Sequence, residues 1–249
     1  MRGPRGQTEA VLVLTKADWG LDSGGNGSYT VAMRNSRLAA LFVCILALPG
    51  FGNLITNGSF EDGNPTWNPY GFQSLMAPDN YTITGWTVSE GSVDYIGSYW
   101  QAAHGNRSLD LAGVYYNGTI FQSFPTLVGV PYQVTFALAG NPDVQPRTTT
   151  VRVWVSDGST TFDQADFNYT VNGQTPSNMG WIYVSWTFTA QSALTTLGFT
   201  SLDTYNDPVW GYSFGPALDD VSVTAIPEPA TLALVGLGLI AAGFLRRRR

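Results

Sequence analysis

Cysteine is almost absent from this 249-residue sequence: the single one, Cys44, lies inside an apolar run near the start. Everything downstream of it therefore lacks both disulfides and a catalytic thiol. Val43 stands where a lipid-attachment site would need a small residue, so a lipoprotein anchor is excluded. Histidine is as scarce, and His104 alone can assemble neither a zinc centre nor a catalytic triad. Between Asn53 and Ala225 there is no lysine, and only Arg107, Arg147 and Arg152 face a large excess of Asp and Glu. Such a surface repels nucleic acid and anionic lipid headgroups, and suits divalent cations or neutral glycans. Phosphate-binding loops are missing too. With 13% aromatic residues and 28 glycines, the composition fits short strands and many turns rather than helices or disorder.

What is present divides into four parts. Residues 1–32 have mixed polarity, a glycine-rich stretch near Gly24 to Gly27 and no sustained periodicity, and read as an unstructured or non-native extension. From Met33 the pattern changes. Met33-Arg34-Asn35-Ser36-Arg37 is a basic opening, Leu38 to Leu48 an apolar run, and Gly50-Phe51-Gly52 a small-x-small cleavage signal. Residues 33–52 are therefore expected to be a signal peptide, handled by the Sec translocon and signal peptidase, with Met33 as the working start.

Residues 53–225 follow a period of two, broken by Gly, Asn, Pro and Asp clusters. Tyr132, Val134, Phe136 and Leu138 alternate with polar or small residues. Val151, Val153 and Val155 alternate with Arg152 and Trp154, and Ile182, Val184, Trp186 and Phe188 with Tyr183, Ser185 and Thr187. These are strands with one core face each. Weaker strands are expected at Ser108 to Leu111, Thr119 to Phe124, Leu197 to Leu202 and Ala217 to Thr224. No helical stripe interrupts them, so the expected fold is all-β, a jelly-roll sandwich of two antiparallel sheets.

The final part, residues 226–249, has three components. Pro227-Glu228-Pro229 stops the preceding strand. Thr231 to Leu245 forms an apolar run of about membrane length, expected to be a single transmembrane helix, and Arg246, Arg247, Arg248 and Arg249 hold its end in the cytoplasm. This arrangement resembles the PEP-CTERM sorting signal. The resemblance implies recognition by an exosortase, cleavage near Pro227 to Pro229, transient anchoring in the inner membrane, and release to the cell surface or extracellular matrix.

The middle also carries a resemblance. Asn57-Gly58-Ser59-Phe60-Glu61, Ile83-Thr84-Gly85-Trp86, Val93-Asp94-Tyr95-Ile96, Gly105-Asn106-Arg107-Ser108-Leu109-Asp110-Leu111 and Ala217-Leu218-Asp219-Asp220-Val221-Ser222-Val223 occur in that order. Together they resemble the choice-of-anchor C family, related to plant cell-wall DUF642 proteins and to galactose-binding-like jelly rolls. His104 departs from the pattern. Members of the wider superfamily often hold a structural calcium between the N-terminal segment and the last strand, which implies Glu61 and Asp219 as ligands here. Alternation places Asp219 on the face of Val221 and Val223, and a carboxylate buried there needs a cation or backbone donors.

Sugar binding needs exposed aromatic platforms beside polar groups. Tyr99, Trp100 and Trp210 are the expected ligand contacts, in loop-like surroundings, while Trp154, Trp181 and Tyr183 fall off the core faces. Catalysis finds less support. Gly211-Tyr212-Ser213-Phe214-Gly215 matches the nucleophile-elbow pattern but has no following helix and no downstream histidine. Glu61, Glu90, Asp94 and Asp110 could serve glycoside hydrolysis, yet nothing in the sequence pairs them. The reading is a non-enzymatic, exported matrix protein that contacts polysaccharide; the alternatives are a purely structural protein or a glycan hydrolase.

Overall fold

The computed structural model describes residues 52–227, the segments Leu21–Ser23 and Tyr29–Val31, and Gly238. Two units are distinguished, Met1–Leu48 and Pro49–Arg249. In the first, strand β1 (Leu21–Ser23) pairs antiparallel with β2 (Tyr29–Val31) across the glycine-rich stretch that the sequence marks as elementless. The expected signal peptide, transmembrane helix and arginine cluster lie outside the described residues, apart from Gly52 and one helical residue, Gly238.

The second unit is a sandwich of jelly-roll type. Its strands are β3 (Phe72–Met76), β4 (Thr87–Glu90), β5 (Ser92–Ile96), β6 (Ser108–Asp110), β7 (Ala112–Gly113), β8 (Tyr116–Asn117), β9 (Thr119–Pro125), β10 (Pro131–Gly140), β11 (Arg147–Ser156), β12 (Thr161–Val171), β13 (Ile182–Thr189), β14 (Leu194–Ser201) and β15 (Pro216–Ala225). One sheet has the order β13-β10-β15-β6-β5-β3, the other β12-β11-β14-β9-β4, and β7 with β8 forms a small ribbon. All pairings between these strands are antiparallel, as hairpin and Greek-key connections require.

Every strand expected from alternation is present. Tyr132, Val134, Phe136 and Leu138 point into the core from β10, and Val151, Val153 and Val155 from β11. Phe136 meets Phe199 of the facing sheet edge-on at 5.3 Å. The N-terminal segment is zipped onto β15: Leu54 N donates to Val223 O and Val221 N to Gly58 O, both at 2.9 Å. Gly58 is required there, since a Cβ would lie 1.9 Å from Val221 O. Asn57 adopts φ +54° and ties the turn by donating through Nδ2 to the carbonyls of Asp62 and Thr84. Trp86 Nε1 closes the same knot by donating to Asn57 O.

Candidate functional site

The site is built on the outer face of the six-stranded sheet. Asp94 of β5 is the direct cross-strand partner of Asp110 on β6, and Ser74 of β3 the partner of Asp94. Their neighbours Val93, Tyr95 and Leu109 face the core, so the polar residues point the other way, under the loops that roof this end of the sheet. Both carboxyls are buried. Ser74 Oγ donates to Asp94 Oδ1 at 2.5 Å. Asp110 accepts from Ala112 N, Gly215 N and Asn141 Nδ2 at 2.8–3.0 Å.

Two buried carboxyls side by side cannot both ionise cheaply. Burial, partly offset by the Ser74 bond, raises Asp94 to about 6. Burial first, and then the Asp94 charge, pushes Asp110 well above the ordinary carboxylate range. Both shifts favour the protonated form, so the pair can present a donor as well as acceptors, the mixed set that a sugar hydroxyl requires.

A cavity of about 390 Å³ opens above this pair, and all three aromatics expected to contact ligand line it: Tyr99, Trp100 and Trp210. Their roles differ. Trp210 is 51% exposed and stands at the rim. Asp207 Oδ1 accepts the amides of Val209 and Trp210, setting the turn that carries it. That loop is anchored by the buried pair of Arg147 with Asp203 and by Arg147 over the Tyr205 ring at 5.3 Å. Tyr99 donates its hydroxyl to Asp143; burial, then this bond, hold its phenol above the usual range. Trp100 is a wall rather than a platform: it is buried, and its Nε1 donates to Ser108 Oγ at 2.8 Å. It separates this cavity from an adjoining one of about 580 Å³, beside Trp67 and Arg107, which it also lines.

Asp94, Asp110 and Asn141 escape a reading of the sequence as a cavity floor. The available signal was an aspartate inside each of two short apolar strands, a pattern that marks a polar group on a covered outer face.

Asp219 is buried as expected, but not on the expected face. Alternation put it with Val221 and Val223; the structure pairs it with Ala137, on the face opposite Leu218. The reason is a bulge at Asp220, φ +48°, which inserts one residue and reverses the parity of β15. Asp219 Oδ2 accepts the amides of Ala103 and His104, and its Oδ1 that of Asp220. Burial outweighs these bonds and lifts Asp219 to about 7. Glu61 Oε1 accepts from Asn106 N and Arg107 N, both at 2.8 Å. The two carboxylates named as cation ligands thus converge on one loop, 103–107. Among the described residues no cluster of three acidic, histidine or cysteine side chains exists. A cation held by Glu61 and Asp219 would take the rest of its oxygen shell from backbone carbonyls and water.

The remaining motifs take structural places. His104 is an exposed loop residue. Ser213 of the elbow-like pattern donates to Trp210 O and accepts from Tyr115 N, closing a loop that leads into β15. Pro227 is half-buried at the end of the described chain, while Glu228 and Pro229 lie outside the described residues.

Fold and site define an antiparallel jelly-roll module whose loops roof a ligand-sized cavity. The chain belongs to the DUF642 family, described as proteins of unknown function, whose model matches residues 53–224. Residues 225–249 match the PEP-CTERM protein-sorting motif. Halomucin of Haloquadratum walsbyi is 33% identical over 182 residues, covering 73% of this chain, which spans 2% of the length of that relative. Among solved structures, TmCBM61 in complex with β-1,4-galactotriose overlaps 70% of this chain and 99% of its own, at 13% identity and a TM-score of 0.42. The CBM22-1 xylan-binding domain of Paenibacillus barcinonensis Xyn10C overlaps 63% and 94%, at 16% identity and a TM-score of 0.42.

Proposed function

We propose that this protein is an exported, surface-sorted module that binds a neutral glycan in the cavity between Tyr99 and Trp210. The observation that carries the reading is the convergence, in one cavity, of aromatic walls and two buried carboxyls on paired strands. Pyranose C–H faces stack on rings such as Trp210, and hydroxyls find donors and acceptors on Asp94, Asp110, Asn141 and Asp143. The acidic, lysine-free domain disfavours anionic polymers, which selects neutral chains. The sorting motif supports processing by an exosortase near Pro227 to Pro229, passage through the inner membrane, and residence in an exopolysaccharide matrix. Calcium, held by Glu61 and Asp219 beside the loop 103–107, would fix a wall of the adjoining cavity of about 580 Å³ rather than act in chemistry.

A glycan array probed with the wild-type chain and Trp210→Ala tests this. The expected result is binding to a subset of neutral glycans, weakened at least tenfold in the variant; no binding, or unchanged binding by Trp210→Ala, refutes the cavity as the site. One observation favours a second reading, glycan hydrolysis: Asp94 and Asp110 have environments that push both carboxyls toward the protonated form, as a general acid needs. Release of reducing ends from a bound glycan, abolished by Asp110→Asn, would establish it.

A further inference from the structure

We propose that the outer face of the five-stranded sheet is a second, independent glycan surface, built on Trp154 and suited to an extended neutral polysaccharide chain. Trp154 lies mid-strand on β11 and is paired with Gly198 of the central strand β14. A Cβ on Gly198 would fall 2.1 Å from Trp154 Cζ2 and 2.2 Å from Cε2, so the indole lies flat across the sheet over the glycine. Glycine weakens a strand interior and marks the close approach of another group; here that group is the indole. Trp154 Nε1 donates to Thr200 Oγ1 at 3.0 Å, which holds the indole over the strand β14. The residue is only partly buried, and Gly198 lies beneath its indole. The other side faces outward.

The surroundings match a sugar chain rather than a protein. The next residue along the row is the half-buried Phe121 of β9, cross-strand partner of Gly198, which places a second aromatic on the same face. Flanking it are exposed or half-exposed polar groups on the same face. Arg152 donates to Asp166 through Nε and Nη2 at 2.7 and 2.8 Å, leaving further donors and acceptors of both kinds at the row's edge with no net charge. Gln164 lies opposite Trp154 on β12. A neutral aromatic row bordered by paired donors and acceptors suits a ribbon-like β-1,4-linked chain, whose pyranose faces are apolar and whose edges are hydroxyls. A helical or flexible α-linked chain cannot lay successive rings on it. The cavity roofed by Tyr99 and Trp210 sits on the outer face of the other sheet, so the two sites face away from each other. One molecule can then hold two chains and cross-link them.

Affinity electrophoresis of the purified full chain in gels containing hydroxyethyl cellulose, glucomannan or arabinoxylan, with dextran as the α-linked control, tests the proposal. Retardation by at least one β-1,4-linked polymer and not by dextran is expected. Trp154→Ala should reduce it at least fivefold, whereas Trp154→Phe, which keeps a ring over Gly198, should retain most of it. Melting midpoints show that the variants fold. Retardation that survives Trp154→Ala, or none for the wild type with any of the three polymers, overturns the second surface. The cavity reading stands or falls separately, because it is read from Trp210→Ala: loss in Trp154→Ala supports the platform whatever Trp210→Ala does.

Discussion

Three buried aspartates set the chemistry of this molecule at the scale of single residues. Asp94 at about 6 and Asp219 at about 7 are raised above the unfolded value of 3.8, chiefly by burial, and Asp110 is raised as well. A carboxyl with a raised folded value favours the fold while it is protonated, so its contribution is fully present below about pH 4 and is lost as pH rises through the folded value. Without added cation, the melting midpoint is therefore expected to fall between pH 5 and pH 8. Calcium bound at Asp219 would stabilise the charged form and flatten that fall, and a chelator would restore it. Calorimetry at both pH values, with calcium and with chelator, measures this. An identical pH slope in both conditions removes the cation, and a midpoint that rises toward pH 8 contradicts the burial of the pair. The burial of Asp219 was legible in the sequence, but its face was not, because strict alternation does not foresee a one-residue bulge.

At the scale of elements, alternation found the long strands β10, β11 and β13 because each exposes one face and buries the other. It did not find β5, where all five residues are buried: loops cover the outer face, which removes the alternation in exposure that defines a half-open strand. It also missed β12, an edge strand whose polar residues Asp166, Asn168 and Thr170 pair with Arg152, Thr150 and Thr148 rather than following a clean apolar pattern. The N-terminal segment is a further element that sequence reading treated as a motif. Asn57, Gly58 and Phe60 tie it to β15 and to Trp86, so that the motif residues of this stretch hold the fold together, while Glu61 reaches the loop 103–107. Gly58→Ala places a methyl group against a backbone carbonyl that cannot move without breaking the zipper. A loss of about 1–3 kcal/mol is expected, in the range for overpacked sites. Urea unfolding would measure it, and an unchanged midpoint would show that the segment is not docked on β15.

For the whole molecule, the sequence made the sandwich and the sorting segment plain, since each is defined by composition over many residues. The sandwich and the sorting motif stand as read, while the site was only half legible. Tyr99, Trp100 and Trp210 were visible as aromatics in loop-like surroundings, and all three line one cavity, Trp100 from the core side. Its polar floor was not visible, because Asp94 and Asp110 are 16 positions apart in the chain and become neighbours only through the β5–β6 pairing. The most direct measurement is an NMR titration that follows the indole Nε1 signals of the eight tryptophans while a neutral oligosaccharide is added. The expected result is that Trp210 and Trp100 shift together at one affinity, with Trp86 and Trp186 unmoved. Shifts confined to residues outside the cavity, with Trp210 and Trp100 silent at saturating sugar, would contradict the glycan-binding cavity outright.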